Sequence, residues 1–192
     1  LEYRREPVDA AAAAQRDDIR RVMTWARQYF RRNLMESDGG RAALEYTARR
    51  GMTAETLERF QIGFAPDSWD ALITTAARAG IRPELLSSAG LVVTNDEKRR
   101  TYDRFRNRLM FPICDAQGRV IAFGGRTLGD DPAKYLNSPE TALFSKSRVL
   151  YGMDLARPAI ERTRQVLICE GYVDAVMTSH IVNFKLDPKG LP

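Results

Sequence analysis

Histidine is almost missing from this chain: His180 is the only one in 192 residues, and Cys114 and Cys169 are the only cysteines. One imidazole and two distant thiols do not supply the four ligands a structural zinc ion wants. Both cysteines sit inside apolar runs, which reads as buried, reduced thiols of a cytoplasmic protein rather than a disulfide. No apolar run approaches the ~20 residues needed to cross a bilayer, so no membrane partner is expected. The stretch Leu1-Glu2-Tyr3-Arg4-Arg5-Glu6 lacks the apolar centre of a secretory leader. It also lacks an initiating methionine, and a piece of a longer chain is expected. No internal repeat is visible.

What is present is an ordinary globular composition, 44% hydrophobic, with a formal net charge of +5. That bias suits a polyanionic partner without requiring one, and the placement of the charge matters more than its sum.

Residues 1–15 read as a linker. From Asp17 onward the pattern turns helical, with Ile19, Val22, Met23, Ala26, Phe30 and Leu34 on one face. Asp38-Gly39-Gly40 is expected to stop that helix. A second helix fits Arg41 to Arg50, with Ala43, Leu44 and Thr47 inward and Gly51 closing it. Thr53 is placed to cap a third, short helix. Ser68 is expected to cap a helix from Trp69 to Ala79, and Pro83 suits the first turn of another. Leu91-Val92-Val93 reads as a short strand and Asn95-Asp96-Glu97-Lys98 as a turn. Residues 109–114 and 120–123, joined by Asp115-Ala116-Gln117-Gly118, make a β-hairpin. Pro112 implies a free side or a bulge in its strand. A helix is expected from Met153 towards Arg164, with Pro158 in its first turn.

Gln165-Val166-Leu167-Ile168-Cys169 then reads as a buried strand. It ends in Glu170-Gly171, and a helix is expected from about Asp174 to Ser179. Open α/β sheets bind ligands at the carboxyl ends of their strands, so Glu170 is the first candidate for chemistry. Such a glutamate can hold a divalent ion or act as a base; equally, it can simply favour a helix N-terminus.

Two basic segments precede it. Arg99-Arg100-Thr101-Tyr102-Asp103-Arg104-Phe105-Arg106-Asn107-Arg108 sets five arginines against one aspartate. Guanidinium forks suit phosphates, and the interleaved Tyr102 and Phe105 can pack beneath or stack on bases. A solvated loop pairing with nearby carboxylates has the same composition. In Phe123-Gly124-Gly125-Arg126 the glycines let a ligand approach the backbone. Lys134-Tyr135-Leu136-Asn137-Ser138-Pro139-Glu140-Thr141 follows, so Arg126 and Lys134 can face a triphosphate or a template. A turn followed by a capped segment is the plainer alternative.

In order, these strings resemble bacterial replicative DNA primase of the DnaG type. They are Tyr102-Asp103-Arg104-Phe105-Arg106-Asn107-Arg108-Leu109-Met110-Phe111-Pro112-Ile113, then Gly118 to Arg126, Lys134 to Thr141 and Leu150-Tyr151-Gly152. Glu170-Gly171-Tyr172-Val173-Asp174 is similar to the opening motif of the Toprim fold. Phe60-Gln61-Ile62-Gly63-Phe64-Ala65-Pro66 is similar to the helical start of that family's polymerase core. The resemblance covers about residues 16–180.

It implies an α/β (α+β) protein. A helical lobe at 16–90 and a basic, β-rich part at 91–162 would form the N-terminal subdomain of the catalytic core. Residues 163–180 would supply the first strand and helix of a Toprim sheet, and 181–192 have an unrelated character. It further implies a metal-dependent nucleotidyltransferase that makes RNA primers on single-stranded DNA from ribonucleoside triphosphates. A primer–DNA hybrid would be its product, and a replicative helicase would be met through regions absent here. Carried over residue by residue, Glu170 is the catalytic acid and, with Asp174 more weakly, a ligand for Mg2+ or Mn2+. Arg104, Arg106, Arg108, Arg126, Lys134, Tyr135 and Asn137 fall on nucleotide- or template-binding positions. After Glu170 the chain has only Asp174 and Asp187 and no Asp-x-Asp pair, so an incomplete catalytic centre is expected. Two rival readings are a non-catalytic single-strand-binding module and another Toprim enzyme, a topoisomerase or nuclease.

Overall fold

In a computed structural model, which describes residues 10–95 and 100–185 (the last six as backbone), helices pack on both faces of one antiparallel sheet. Helix α1, Ala10–Glu36, presents Ile19, Val22, Met23, Ala26, Phe30 and Leu34 as one buried stripe, the face expected from their spacing. It begins at Ala10, so residues 10–15 are helical turns rather than linker. Asp38-Gly39-Gly40 does not follow α1 as a stop but opens α2, Asp38–Arg49. The Ser37 hydroxyl accepts from Gly40 N at 2.9 Å and also donates to Asn33 O at 2.6 Å, so one side chain ends α1 and starts α2. A β-carbon at Gly40 would stand 2.2 Å from Asn33 O, which is why the junction is this tight. Thr53 caps α3, Ala54–Arg59, as expected.

The four-stranded sheet runs β1 (Gly63–Ala65), β4 (Arg108–Cys114), β5 (Val120–Thr127), β6 (Tyr135–Asn137), every pair antiparallel. The helical lobe therefore contributes an edge strand to the basic part. β4 and β5 are the expected hairpin, with the Asp115 carboxylate accepting from Gln117 N and Arg119 N in the turn. On β4, Met110 packs against α1, while Leu109 and Phe111 face the opposite side, so the strand reads as continuously apolar. Pro112 sits opposite Phe123, whose N–H and carbonyl both bond Ser138 on the β6 side. The missing proline N–H thus points to the edge where β1 has already ended, and a register shift follows one residue later.

A second, two-stranded sheet pairs β2 (Val92–Asn95) with β3 (Arg100–Asp103) beside α4 (Ala71–Arg78) and α5 (Pro83–Ser88). The turn expected at 95–98 lies largely outside the described residues. Ser68 does not cap α4: the Asp103 carboxylate does so from β3, accepting from Leu72 N at 2.7 Å and Ile73 N at 3.2 Å. α6, Met153–Thr163, holds Pro158 inside the helix rather than in its first turn.

Two expectations fail near the end. Residues 165–169 form no ladder, and Val166, Leu167 and Ile168 are 58%, 65% and 73% exposed rather than buried. An apolar run becomes a buried strand only when other strands flank it, and none does among the described residues. The helix after Glu170 begins earlier and runs longer than expected, as α7, Tyr172–Lys185. Its Val173 and Val176 pack on Leu109 and Phe111, fixing the Glu170 turn to the sheet.

Candidate nucleic-acid and nucleotide site

Arg126 stands one residue before the end of β5, directly across from Tyr135 on β6. Its Nη1 donates to the Tyr135 hydroxyl at 2.8 Å, and its guanidinium lies over the rings of Tyr46 and Tyr135, 5.3 and 5.4 Å from their centroids. Two aromatic rings thus hold the cation in place, and its buried Nε has no protein partner. Lys134 is exposed beside Tyr135, and its carbonyl accepts from Thr127 N. Two residues on, Asn137 stands across from Gly124, and its Oδ1 accepts from the Tyr172 hydroxyl at 2.7 Å.

Tyr172 joins this surface to the Glu170 turn. Its ring stacks on Phe111 (centroids 5.3 Å apart, planes 13° apart) and meets Tyr151 edge-on at 4.9 Å. A β-carbon at Gly124 would lie 2.4 Å from its Cε2, so glycine at 124 makes room for the ring. Burial, and secondarily the neighbouring Tyr135, push the Tyr172 phenol up to about 12. A cleft of about 440 Å³ opens here, and Tyr135, Asn137, Tyr172 and Glu170 all line it. Glu170 is exposed on the same cleft as Tyr135 and Asn137. Asp174 leans back toward its own helix start: a β-carbon at Gly171 would come within 2.8 Å of its Oδ2. Among the described residues no three His, Cys, Asp or Glu side chains are placed to share a metal ion.

The arginines of the 99–108 segment do not act as one patch. Arg104 is half-buried, and desolvation lowers its pKa. Arg106 stacks over Trp69, 4.0 Å from the ring centroid, and Tyr102 meets the same indole edge-on. Arg108 is 2% exposed: it donates to Ala133 O at 2.9 Å, Gly125 O at 3.2 Å and Asp131 at 2.7 Å. Its guanidinium is spent inside the protein and corrects the expectation of a template contact. Phe105 is equally internal, edge-on to Phe30 and Phe123. Asn107 separates these fates. Its left-handed φ of 46° turns the chain between an outward Arg106 and an inward Arg108.

Trp69 is the residue that sequence reasoning missed. The spacing places it in a helix from Trp69 to Ala79, yet α4 starts at Ala71 and leaves the indole 53% exposed on the loop before it. A lone tryptophan beside Pro66-Asp67-Ser68 was the available signal.

A family model described as the DNA primase catalytic core, N-terminal domain, matches residues 29–157. The chain belongs to that family. Curated primases of Halalkalibacterium halodurans and Escherichia coli are 43% and 42% identical to it. Those alignments cover 89% and 92% of this chain, but only 29% and 30% of the relatives. The chain thus spans under a third of their length. Among solved structures, a DnaG primase catalytic domain bound to single-stranded DNA superposes with a TM-score of 0.78 at 44% identity. It covers 87% of this chain and 51% of that one. The RNA polymerase domain of Mycobacterium tuberculosis primase DnaG, in complex with a duplex carrying a 6-nucleotide overhang, gives 0.80 at 35% identity over 87% of this chain and 52% of that one. Relatedness at this level assigns the strings at 102–126 and 134–141 to a primase rather than to a topoisomerase or nuclease.

Proposed function

We propose that this chain is the template- and nucleotide-binding part of an enzyme that synthesises RNA primers on single-stranded DNA. The observation that carries the reading is the shared cleft: Asn137 and Tyr135, the latter bonded to Arg126, open on the same space as Glu170. Arg126, held between two rings, offers its remaining N–H groups to phosphate, and Lys134 adds a flexible positive charge beside it. Asn137 adds a neutral hydrogen bond. On the second surface, Trp69 under Arg106 provides an aromatic face with a cation, which suits an unpaired base and its phosphate. A primer–DNA hybrid and a replicative helicase are partners of the whole enzyme in this reading.

Use of Mg2+ or Mn2+, expected from the resemblance, is part of the proposal, but the described residues do not fit a complete ion site. Glu170 is exposed and Asp174 turns toward its own helix. No chemical step is therefore assigned to metal in this chain; its residues bind and orient. That favours, for the isolated chain, binding without primer synthesis.

Fluorescence anisotropy with a labelled single strand tests this directly. Affinity is expected to fall steeply with salt, and Arg106→Ala, Arg126→Ala and Lys134→Ala each to weaken binding of strand or triphosphate. Salt-independent binding, or three variants indistinguishable from the parent, refutes the assignment. Incubation with ribonucleotides and template is expected to yield no primer; a primer lost on Glu170→Gln would make the chain a complete polymerase instead.

A further inference from the structure

An asparagine side chain has two unlike ends, an oxygen that only accepts and an amide nitrogen that only donates. Which end meets a ligand depends on what holds the other. At Asn137 the oxygen is held by the Tyr172 hydroxyl at 2.7 Å. The phenol is not free to follow a turning amide, because its ring is stacked on Phe111, meets Tyr151 edge-on and fills the space that glycine leaves at 124. Reversing the amide would give up this bond and leave the phenolic hydrogen to water in the cleft, so the observed orientation is favoured by the net worth of one ordinary hydrogen bond.

Resting on the functional reading above, we propose that Tyr172 is a positioning residue that holds the Asn137 amide with its NH2 group toward the cleft, making that wall selective for an acceptor-only ligand group such as a polyphosphate. Arg126, which has no accepting atom, stands one residue beyond the glycine pair on the same strand and reinforces the same choice. Donors from both neighbouring strands then stand at or beside the cleft, Asn137 on its lining and Arg126 bonded to the lining Tyr135. The ring does a second task at the same time, since its packing docks α7 on the sheet. Only the hydroxyl serves the amide.

The role is separable from packing by a double-mutant cycle. The parent, Tyr172→Phe, Asn137→Ala and the double variant are titrated calorimetrically with a ribonucleoside triphosphate, and thermal melts confirm that each is folded. Tyr172→Phe keeps the ring stack and is expected to weaken binding about five- to tenfold, the scale of one ordinary hydrogen bond. In the Asn137→Ala background the same change is expected to cost nothing further. Asn137→Asp is expected to bind more weakly than Asn137→Ala, since a carboxylate keeps the phenol but turns an acceptor toward phosphate. Equal losses from Tyr172→Phe in both backgrounds, no loss at all, or Asn137→Asp binding as well as the parent would each overturn the role. A parent chain with no triphosphate affinity would instead remove the nucleotide site, and this role with it.

Discussion

Arg106 and Arg108 stand two positions apart in one basic string, yet their replacement is expected to damage different properties. In Arg108→Met the apolar stem volume is largely kept and the guanidinium lost. Two hydrogen bonds disappear with it, to Gly125 O and Ala133 O. Bonds from a charged donor contribute ~1.5–3 kcal/mol each, but Ala133 is exposed and its carbonyl can turn to water, so the net loss is about 2–4 kcal/mol. The partnership with Asp131 is left out of that figure, because the carboxylate stays in solvent once its partner is gone. For a domain of this size the shift in melting temperature is roughly 5–15 °C. The loop from Leu128 to Lys134 should loosen with it, since Arg108 is its internal tether. Arg106→Met, by contrast, removes a half-exposed cation from Trp69 together with its hydrogen bond to Asp103 O, and should cost less stability than Arg108→Met, about 1–2 kcal/mol, while weakening single-strand binding. Urea melts and strand titrations on both variants give four numbers. The reasoning fails if Arg108→Met melts like the parent but binds DNA poorly, because the guanidinium would then be facing the template.

Other substitutions probe separate parts of the molecule. Trp69→Ala should weaken single-strand binding by ~1–3 kcal/mol without a change in melting, and in a Trp25→Phe background the indole emission should respond to added strand; silence in both readouts removes the stacking surface. Gly63→Ala sets a β-carbon 2.7 Å from the backbone carbonyl carbon of Phe30, so α1 and β1 must part, at a cost of about 2–3 kcal/mol in urea denaturation; a neutral result would show that the interface is looser than described. Burial raises the Asp103 carboxyl above its usual value, against the bonds it receives from Leu72 N and Ile73 N. The native state therefore holds that proton more tightly than the unfolded chain, and the group's contribution to stability is greatest below pH ~4 and declines as pH rises through the raised folded value. Subtracting the Asp103→Asn pH profile from that of the parent should leave this downward trend, and an upward one would contradict the burial argument.

The elements readable from sequence were those whose signal lies within a few residues. The α1 stripe, the Thr53 cap and the β4–β5 hairpin each declare themselves locally, and each is where spacing placed it. What escaped depends on distant partners. Asp103 caps a helix some thirty residues earlier, which no window around Ser68 reveals. Gly39 and Gly40 resemble a helix stop, yet they are needed where two helices pass within contact of Asn33 O and the Phe64 ring. Composition also treats every arginine in 99–108 alike, whereas one left-handed residue sends Arg106 outward and Arg108 inward. The run at 165–169 misled for the opposite reason: its residues suit a strand, but a strand exists only with neighbours.

The fit of the Tyr172 ring over Gly124 carries a consequence for how sequences of this kind diverge. Two positions nearly fifty residues apart share one parcel of space, so position 124 is not free to enlarge while the ring stays. A lineage that acquires alanine or serine at 124 must first trade the aromatic at 172 for something slimmer. That trade would also surrender the phenol on which Asn137 rests, so a larger residue at 124 is expected only where 172 has already changed and the hold on 137 has gone.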